Sequence, residues 1–278
     1  MWTRFYDVEG IATRCLEAGD QGAPPLLLLH GHDLIAEIWL ANIDALGENF
    51  RVFAPDMLGN GFTGPVEFGD RPAVAVRLAH LVKLADRLGL DRFHVCGTSY
   101  GALVGTLLAL ELPDRVGRLV INGSASAFAP DEALVATLKR MHEYSREAIY
   151  DGPNLAFWRG RISHGAFDPA TVPEGLLVML MTVYAQPWIA RAWEQSILSM
   201  MDLDASGPYR ILDRLEDVVT ETLITWGRED RGAPVSSAES AVARMPNAEL
   251  VVFEQCRHMM MFEHPELYND TVSEFLCR

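Results

Sequence analysis

In Gly97-Thr98-Ser99-Tyr100-Gly101 a serine stands between two glycines, with the apolar text FHVC before it and ALVGTLLALELP after it. The G-x-S-x-G spacing at a strand-to-helix joint is that of a serine held on a tight turn for attack on a carbonyl. A larger side chain at 97 or 101 would collide with neighbouring backbone, and the turn itself strains the serine. The helix start beneath it offers free N–H groups and a positive dipole end. A serine hydroxyl is a poor nucleophile near neutral pH, so a base is required, usually a histidine oriented by a carboxylate.

Eight histidines compete for that role. His258, in FEQCRHMMMFEHPE, follows the last strand-like run and precedes the last helix-like one, on the same sheet edge as the serine. His80 lies in helical text and His94 in strand text, which suits structural roles; His142 and His164 belong to mid-chain helical text, and His264 adjoins Pro265 at a helix start. For the carboxylate, LITWGREDRGAPV offers Glu229 and Asp230 just after the penultimate strand. An oxyanion formed at the carbonyl needs backbone N–H donors already aimed at it. Tyr100 supplies one, and HGHD (30–33) is expected to supply the other at the N–H of His32, with Gly31 allowing close approach. His30 is read as a structural hydrogen-bonder.

Short β-rich runs alternating with helical text must position these residues, a pattern that predicts a mostly parallel sheet covered by helices. RFYDVEGIATRCLEAG reads as a hairpin turning at Glu9-Gly10, and PPLLLLHG as a strand buried on both faces. One helix is expected through AEIWLANIDALGE, then the strand RVFAPD, a helix ending at Gly89, and the strands RFHVCG and VGRLVING. From 124 to 212 no strand is evident; DEALVATLKRMHEYSREAIY and EGLLVMLMTVYAQPWIARAWEQSIL are amphipathic helical stretches. Alternation resumes with ETLITWG, SSAESAVARM, AELVVFE and PELYNDTVSEFL. The expected organisation is a core of 1–123 and 213–278 with a helical cap, 124–212, inserted after the sixth of eight strands.

The chain has 278 residues, 49% hydrophobic and 22% charged, as in ordinary globular proteins. A net charge of −15 without a basic run argues against nucleic acid and against an anionic membrane surface. The expected partner is a small-molecule substrate, and a homodimer is among the assemblies the chain allows. Four widely spaced cysteines, no secretory leader and no long apolar run imply a cytoplasmic protein without disulfides. Two motifs are decoys. GNGFTG (59–64) fits G-x-G-x-x-G, but Pro65 and Gly69 interrupt the helix that a dinucleotide site requires, and a mobile turn bordering the site is expected instead. HGHD has no second His/Asp cluster to complete a metal site, so no metal and no cofactor are expected.

Through LLLLHGHD, PDMLGNGFT, GTSYGA, WGREDRGAPV and CRHMMMFEHPE the chain resembles the α/β-hydrolase superfamily over nearly its whole length. The resemblance implies the order Ser99, Asp230, His258, with Asp230 chosen because W-G-x-x-D recurs at this place in such enzymes. ITWGREDR, AELVVFEQCRHMMMFEHPELYN and IARAWEQS look like meta-cleavage-product hydrolases, which cut a carbon–carbon bond in vinylogous 1,5-diketones from aromatic catabolism. That likeness makes Arg191 the candidate for holding an acidic substrate. The chain departs from the family at HGHDLIA, where a Gly/Ser/Pro-rich loop is usual, and at Thr98 and Met259, where Asn and Trp are common. Trp158, Trp188 and Met259 are expected to line a pocket for an apolar or aromatic acyl group. A carboxylesterase or lactonase uses the same triad, and a non-catalytic ligand receptor is the alternative outside enzymes.

Overall fold

The computed structural model describes residues 1–152 and 154–278. Its strands are β1 (Trp2–Val8), β2 (Ile11–Ala18), β3 (Pro25–Leu29), β4 (Arg51–Pro55), β5 (Phe93–Thr98), β6 (Val116–Asn122), β7 (Glu221–Gly227) and β8 (Ala248–Phe253). They form one sheet in the order β1-β2-β4-β3-β5-β6-β7-β8. β2 is antiparallel to both β1 and β4, and every other pairing is parallel. The β1–β2 hairpin turns at Glu9 and Gly10, whose φ values of 52° and 86° match the twist of the strands it joins. Central strands are buried on both faces: no leucine of β3 exceeds 1% exposure. Each such side chain removed from water contributes roughly 1.5–3 kcal/mol.

The helices are α1 (Ile43–Leu46), α2 (Ala73–Arg87), α3 (Tyr100–Glu111), α4 (Ala125–Phe128), α5 (Asp131–Tyr150), α6 (Leu155–Ser163), α7 (Glu174–Tyr184), α8 (Pro187–Met201), α9 (Leu203–Ser206), α10 (Val235–Val242), α11 (Met260–Glu263) and α12 (Pro265–Cys277). Two expectations need correction. The single helix expected through AEIWLANIDALGE is a 3-10 turn, Ala36–Trp39, followed by the short α1. Asp56 takes the N–H of Ala36 at 2.8 Å and so ties the chain down at that point. The stretch from Glu174 divides into α7 and α8, because Pro187 cannot continue a helix but suits the first position of a new one.

Between β6 and β7 the described residues contain helices and turns only. There α5 packs on α8, α6 on α7, and α8 also on α2 of the core. No helix among the described residues is long and apolar enough to cross a membrane.

Candidate active site

Ser99 joins β5 to α3 with φ 54° and ψ −118°, a conformation costly for any residue with a side chain. The glycines make this turn possible. A Cβ on Gly97 would lie 2.4 Å from the carbonyl oxygen of Gly101, and one on Gly101 would lie 2.3 Å from that of Leu29. The turn is held by the Ser99 N–H donating to Asn122 O at 2.9 Å, and by Ser124 Oγ donating to Ser99 O at 2.6 Å. Although Ser99 caps α3, its own side chain makes no capping bond, so its hydroxyl is not committed to the helix.

After β7, Asp230 Oδ2 lies 2.8 Å from His258 Nδ1, while Oδ1 accepts the Gly232 N–H at 2.6 Å. Glu229, the other acid considered, turns away and accepts the N–H of Cys256 at 3.0 Å. The Asp230 side chain is 1% exposed. Burial opposes its charge, yet the His258 ring and the N–H groups of Gly232 and Ala233 hold its pKa below the ordinary aspartate value. Burial likewise opposes protonation of His258, but the Asp230 carboxylate outweighs it and raises the imidazole pKa. The bond at Nδ1 leaves Nε2, across the ring, to take a proton. Among the described residues no hydrogen bond joins Ser99 Oγ to that ring, a contact that often tightens only with substrate bound. Ser99, Asp230 and His258 all line one cavity of about 590 Å³.

The loop after β3 lies against the serine: a Cβ on Gly31 would sit 3.4 Å from Ser99 Cβ. Neither the His32 nor the Tyr100 N–H is used in hydrogen bonds among the described residues, as an oxyanion pair requires. His30 accepts the Met57 N–H at Nε2 (2.9 Å), so its Nδ1 carries the proton and donates to Gly31 O at 2.7 Å. Its role is to fix the loop. Burial lowers its pKa to about 4, which keeps the ring neutral.

Of the residues expected to hold substrate, Met259 is on the cavity wall, but Arg191, Trp158 and Trp188 are not. α8 turns Ile189, Ala190 and Trp193 inward, which puts Arg191 on its exposed face. Trp158 is wholly buried in aromatic packing, its ring 4.6 Å from that of Tyr184 and 5.1 Å from that of Phe157. Half-buried Trp188 donates its Nε1–H to the Gln186 side chain at 3.2 Å. The wall is instead supplied by Leu134, Leu138 and Met141 from α5, Ile162 from α6 and Met200 from α8. The i, i+4, i+7 spacing of the first three is a signal that the sequence carried.

Three further residues shape the site unforeseen. Gly123, with φ +40°, leaves only 3.2 Å between a hypothetical Cβ and both Asp230 Oδ2 and His258 Nδ1; any side chain there would crowd the pair. Glu263 gathers the N–H groups of Arg257 (3.1 Å) and Met259 (3.2 Å) on one oxygen, fixing both neighbours of His258. Arg161 of α6 reaches Asp33 at 2.7 Å on the cavity wall. The GNGFTG turn is tightly held rather than loose. Asn60 donates to His32 O at 2.8 Å and accepts from Arg77 at 3.0 Å, and a Cβ on Gly61 would fall 2.1 Å from Asp56 Cγ.

A family profile described as alpha/beta hydrolase fold matches residues 24–265. A 2-hydroxy-6-oxononadienedioate/2-hydroxy-6-oxononatrienedioate hydrolase of Burkholderia vietnamiensis is 29% identical over 265 residues, 92% of this chain and 88% of that protein. The protein named hydrolase 2 for the same compounds in Pseudomonas putida is 30% identical, again over 92% of this chain and 88% of its own. Among solved structures, a 2-hydroxy-6-oxo-6-phenylhexa-2,4-dienoate hydrolase from a Rhodococcus species superposes with a TM-score of 0.83 at 26% identity, covering 100% of this chain and 99% of that one.

Proposed function

The chain belongs to the family with the alpha/beta hydrolase fold, and on that premise we propose that it is a serine hydrolase of the meta-cleavage-product type. It would cut the carbon–carbon bond of a 2-hydroxy-6-oxo-dienoate bearing an apolar or aromatic acyl group. The observation that carries this reading is one cavity joining a strained, uncommitted Ser99 to the Asp230–His258 pair, with two unused amides beside it. Helices of the 124–212 segment act as a cap, and their α5 face supplies the apolar wall against which the acyl group packs.

His258 Nε2 takes the Ser99 proton as Oγ bonds to the ketone carbon. The carbonyl oxygen becomes an oxyanion held by the His32 and Tyr100 amides. Its collapse breaks the C–C bond; the electron pair leaves on the dienoate carbon, which takes the proton from the His258 imidazolium. The acyl group stays on Ser99 until a water, deprotonated by His258, attacks it. A second oxyanion collapses, Oγ leaves with the proton from His258, and a carboxylic acid is released. Asp230 stabilises the imidazolium through both steps.

Purified protein offered yellow ring-fission diketones, aryl esters and lactones in parallel should bleach the diketones, and Ser99→Ala should abolish the bleaching. Turnover of esters or lactones alone would reassign the chain to the esterase or lactonase class. Stoichiometric binding without any turnover would remove it from the enzymes.

A further inference from the structure

A buried cation that the mechanism leaves idle touches the supports of both oxyanion amides. Arg77 projects from α2 and is 1% exposed. Its Nε donates to Leu58 O at 2.9 Å, one terminal nitrogen to Asn60 Oδ1 at 3.0 Å and the other to Ser196 Oγ of α8 at 2.5 Å. All three partners are neutral oxygens. A buried charge is costly and ordinarily has an acid beside it, so a guanidinium held by neutral groups alone calls for an account.

Its contacts supply one. Asn60 is 2% exposed, and because its Oδ1 faces the Arg77 donor, its NH2 group must face away. There it donates to His32 O at 2.8 Å and to Leu34 O at 3.2 Å. From the other side His30 holds Gly31 O, and the plane of that peptide carries the His32 N–H. The loop that presents one oxyanion amide is thus clamped on both flanks, one of them set by Arg77. The guanidinium also lies over the ring of Tyr100, 5.1 Å from its centre, and Tyr100 supplies the second amide. That ring has no hydrogen bond at its hydroxyl and stands edge-on to His32, with centroids 5.6 Å apart. Burial, and after it the Arg77 charge, lower the His32 ring to a pKa of about 3, so the positive field reaches this loop.

We propose that Arg77 is a positioning residue for the oxyanion pair, holding the His32 amide through Asn60 and the Tyr100 amide through the face of its ring. The proposal rests on the hydrolase reading and adds to that site a residue that is not on the cavity wall. Donors already aimed at a developing negative charge need no rearrangement when it forms, and a fixed positive centre behind them favours it further. Ser196 anchors the guanidinium to α8, and a second tie, Ala73 N–H to Ser199 Oγ at 3.0 Å, keeps α2 and α8 together there. The setting of the amides is thereby referred to a helix of the 124–212 segment.

A ring-fission diketone and 4-nitrophenyl butyrate serve as test substrates, with active sites counted by a fluorophosphonate. Arg77→Met removes the cation and its donors, whereas Asn60→Ala keeps the cation and cuts its link to the loop. Each should lower kcat per site roughly tenfold or more with KM within about threefold, because the amides matter most once the oxyanion exists. Arg77→Lys should recover part of the loss. A trifluoromethyl ketone, whose adduct on Ser99 is itself an oxyanion, should lose affinity in step with kcat. Since Arg77 acts through Asn60, the double variant should lose less than the product of the single losses. A residue that only staples α2 to α8 would lower the denaturant midpoint and leave kcat per site within about twofold, and that result overturns the assignment. So do single losses that multiply in the double variant. Should Arg77→Met fail to fold, Asn60→Ala decides: kcat per site within about twofold of the unaltered protein overturns the proposal. Any of these leaves the hydrolase reading intact, whereas an unaltered protein that turns over neither substrate and binds no ketone sinks that reading and this proposal with it.

Discussion

Two buried ionic groups lie at opposite sides of β3, and they are built to different ends. At the end of β4, Asp56 accepts from Ala36 N–H (2.8 Å), Phe62 N–H (2.9 Å) and Arg14 (3.0 Å), while Glu37 takes the rest of the Arg14 guanidinium. Every carboxylate oxygen there has a partner, and the cluster binds β2, the 3-10 turn and the GNGFTG turn together. Asp230 is equally satisfied, but its partner His258 keeps one nitrogen unbonded on a cavity wall beside a strained serine. A closed inventory of hydrogen bonds holds a fold. An open one, kept open at a conformational cost, is available for chemistry.

The sharpest way to break this contrast is to exchange each aspartate for asparagine. Asp230→Asn removes the charge that stabilises the imidazolium and disturbs the tautomer that presents Nε2 as an acceptor. Turnover should fall roughly 10⁴-fold, as for comparable triads, with circular dichroism unchanged. Asp56→Asn leaves Arg14 paired with Glu37 alone and turns an amide NH2 group against a buried donor, the N–H of Ala36 or the N–H of Phe62 and Arg14; about 1–3 kcal/mol of stability should be lost, read as a lower denaturant midpoint. Were Asp230→Asn the more destabilising of the two, or Asp56→Asn the more damaging to kcat, the division between a closed and an open cluster would not stand.

The same contrast explains what the sequence could reveal. The turn at Ser99 and the places of His258 and of the loop after β3 on one cavity were legible because each signal is local: a spacing of glycines about Ser99, or a residue type just after a strand. Strands buried on both faces, such as PLLLL, announced themselves by continuous apolarity. The Arg14–Glu37–Asp56 cluster was not legible, since its members come from three segments that only the sheet order brings together. For the same reason Gly123 passed as the end of the ordinary strand text VGRLVING, although its bareness is what admits the Asp230–His258 pair. The cap misled most. Arg191, Trp158 and Trp188 were chosen by residue type and likeness, but on a helix the direction of a side chain is set by which face packs. The inward face of α8 is that of Ile189, Trp193 and Ile197. α5, whose Leu134, Leu138 and Met141 do face the cavity, carried the better signal in its period.

The smallest of the expected effects separates the histidines themselves. His258 has a raised pKa, whereas burial lowers those of His30, His80 and His94 to about 4 and that of His32 to about 3. As a base His258 must be neutral, so kcat/KM should rise with pH, tenfold per unit, and level off only above the ordinary histidine value of about 6.5. The stability that its pairing with Asp230 contributes runs the other way: it is fully present below the unfolded pKa and is lost as pH rises through the folded one. For His30, His32, His80 and His94 the unfolded chain takes up protons that the folded one refuses. Their contribution is therefore present above pH of about 6.5 and is lost as pH falls toward about 4. Acid should thus unfold the protein over that range, after activity has already declined. A pH–rate profile of Asp230→Asn, measured on its residual turnover, isolates the first effect, because losing the carboxylate should move the half-point to lower pH. A half-point that stays where it is in the unaltered enzyme would mean that the rate reports some group other than His258.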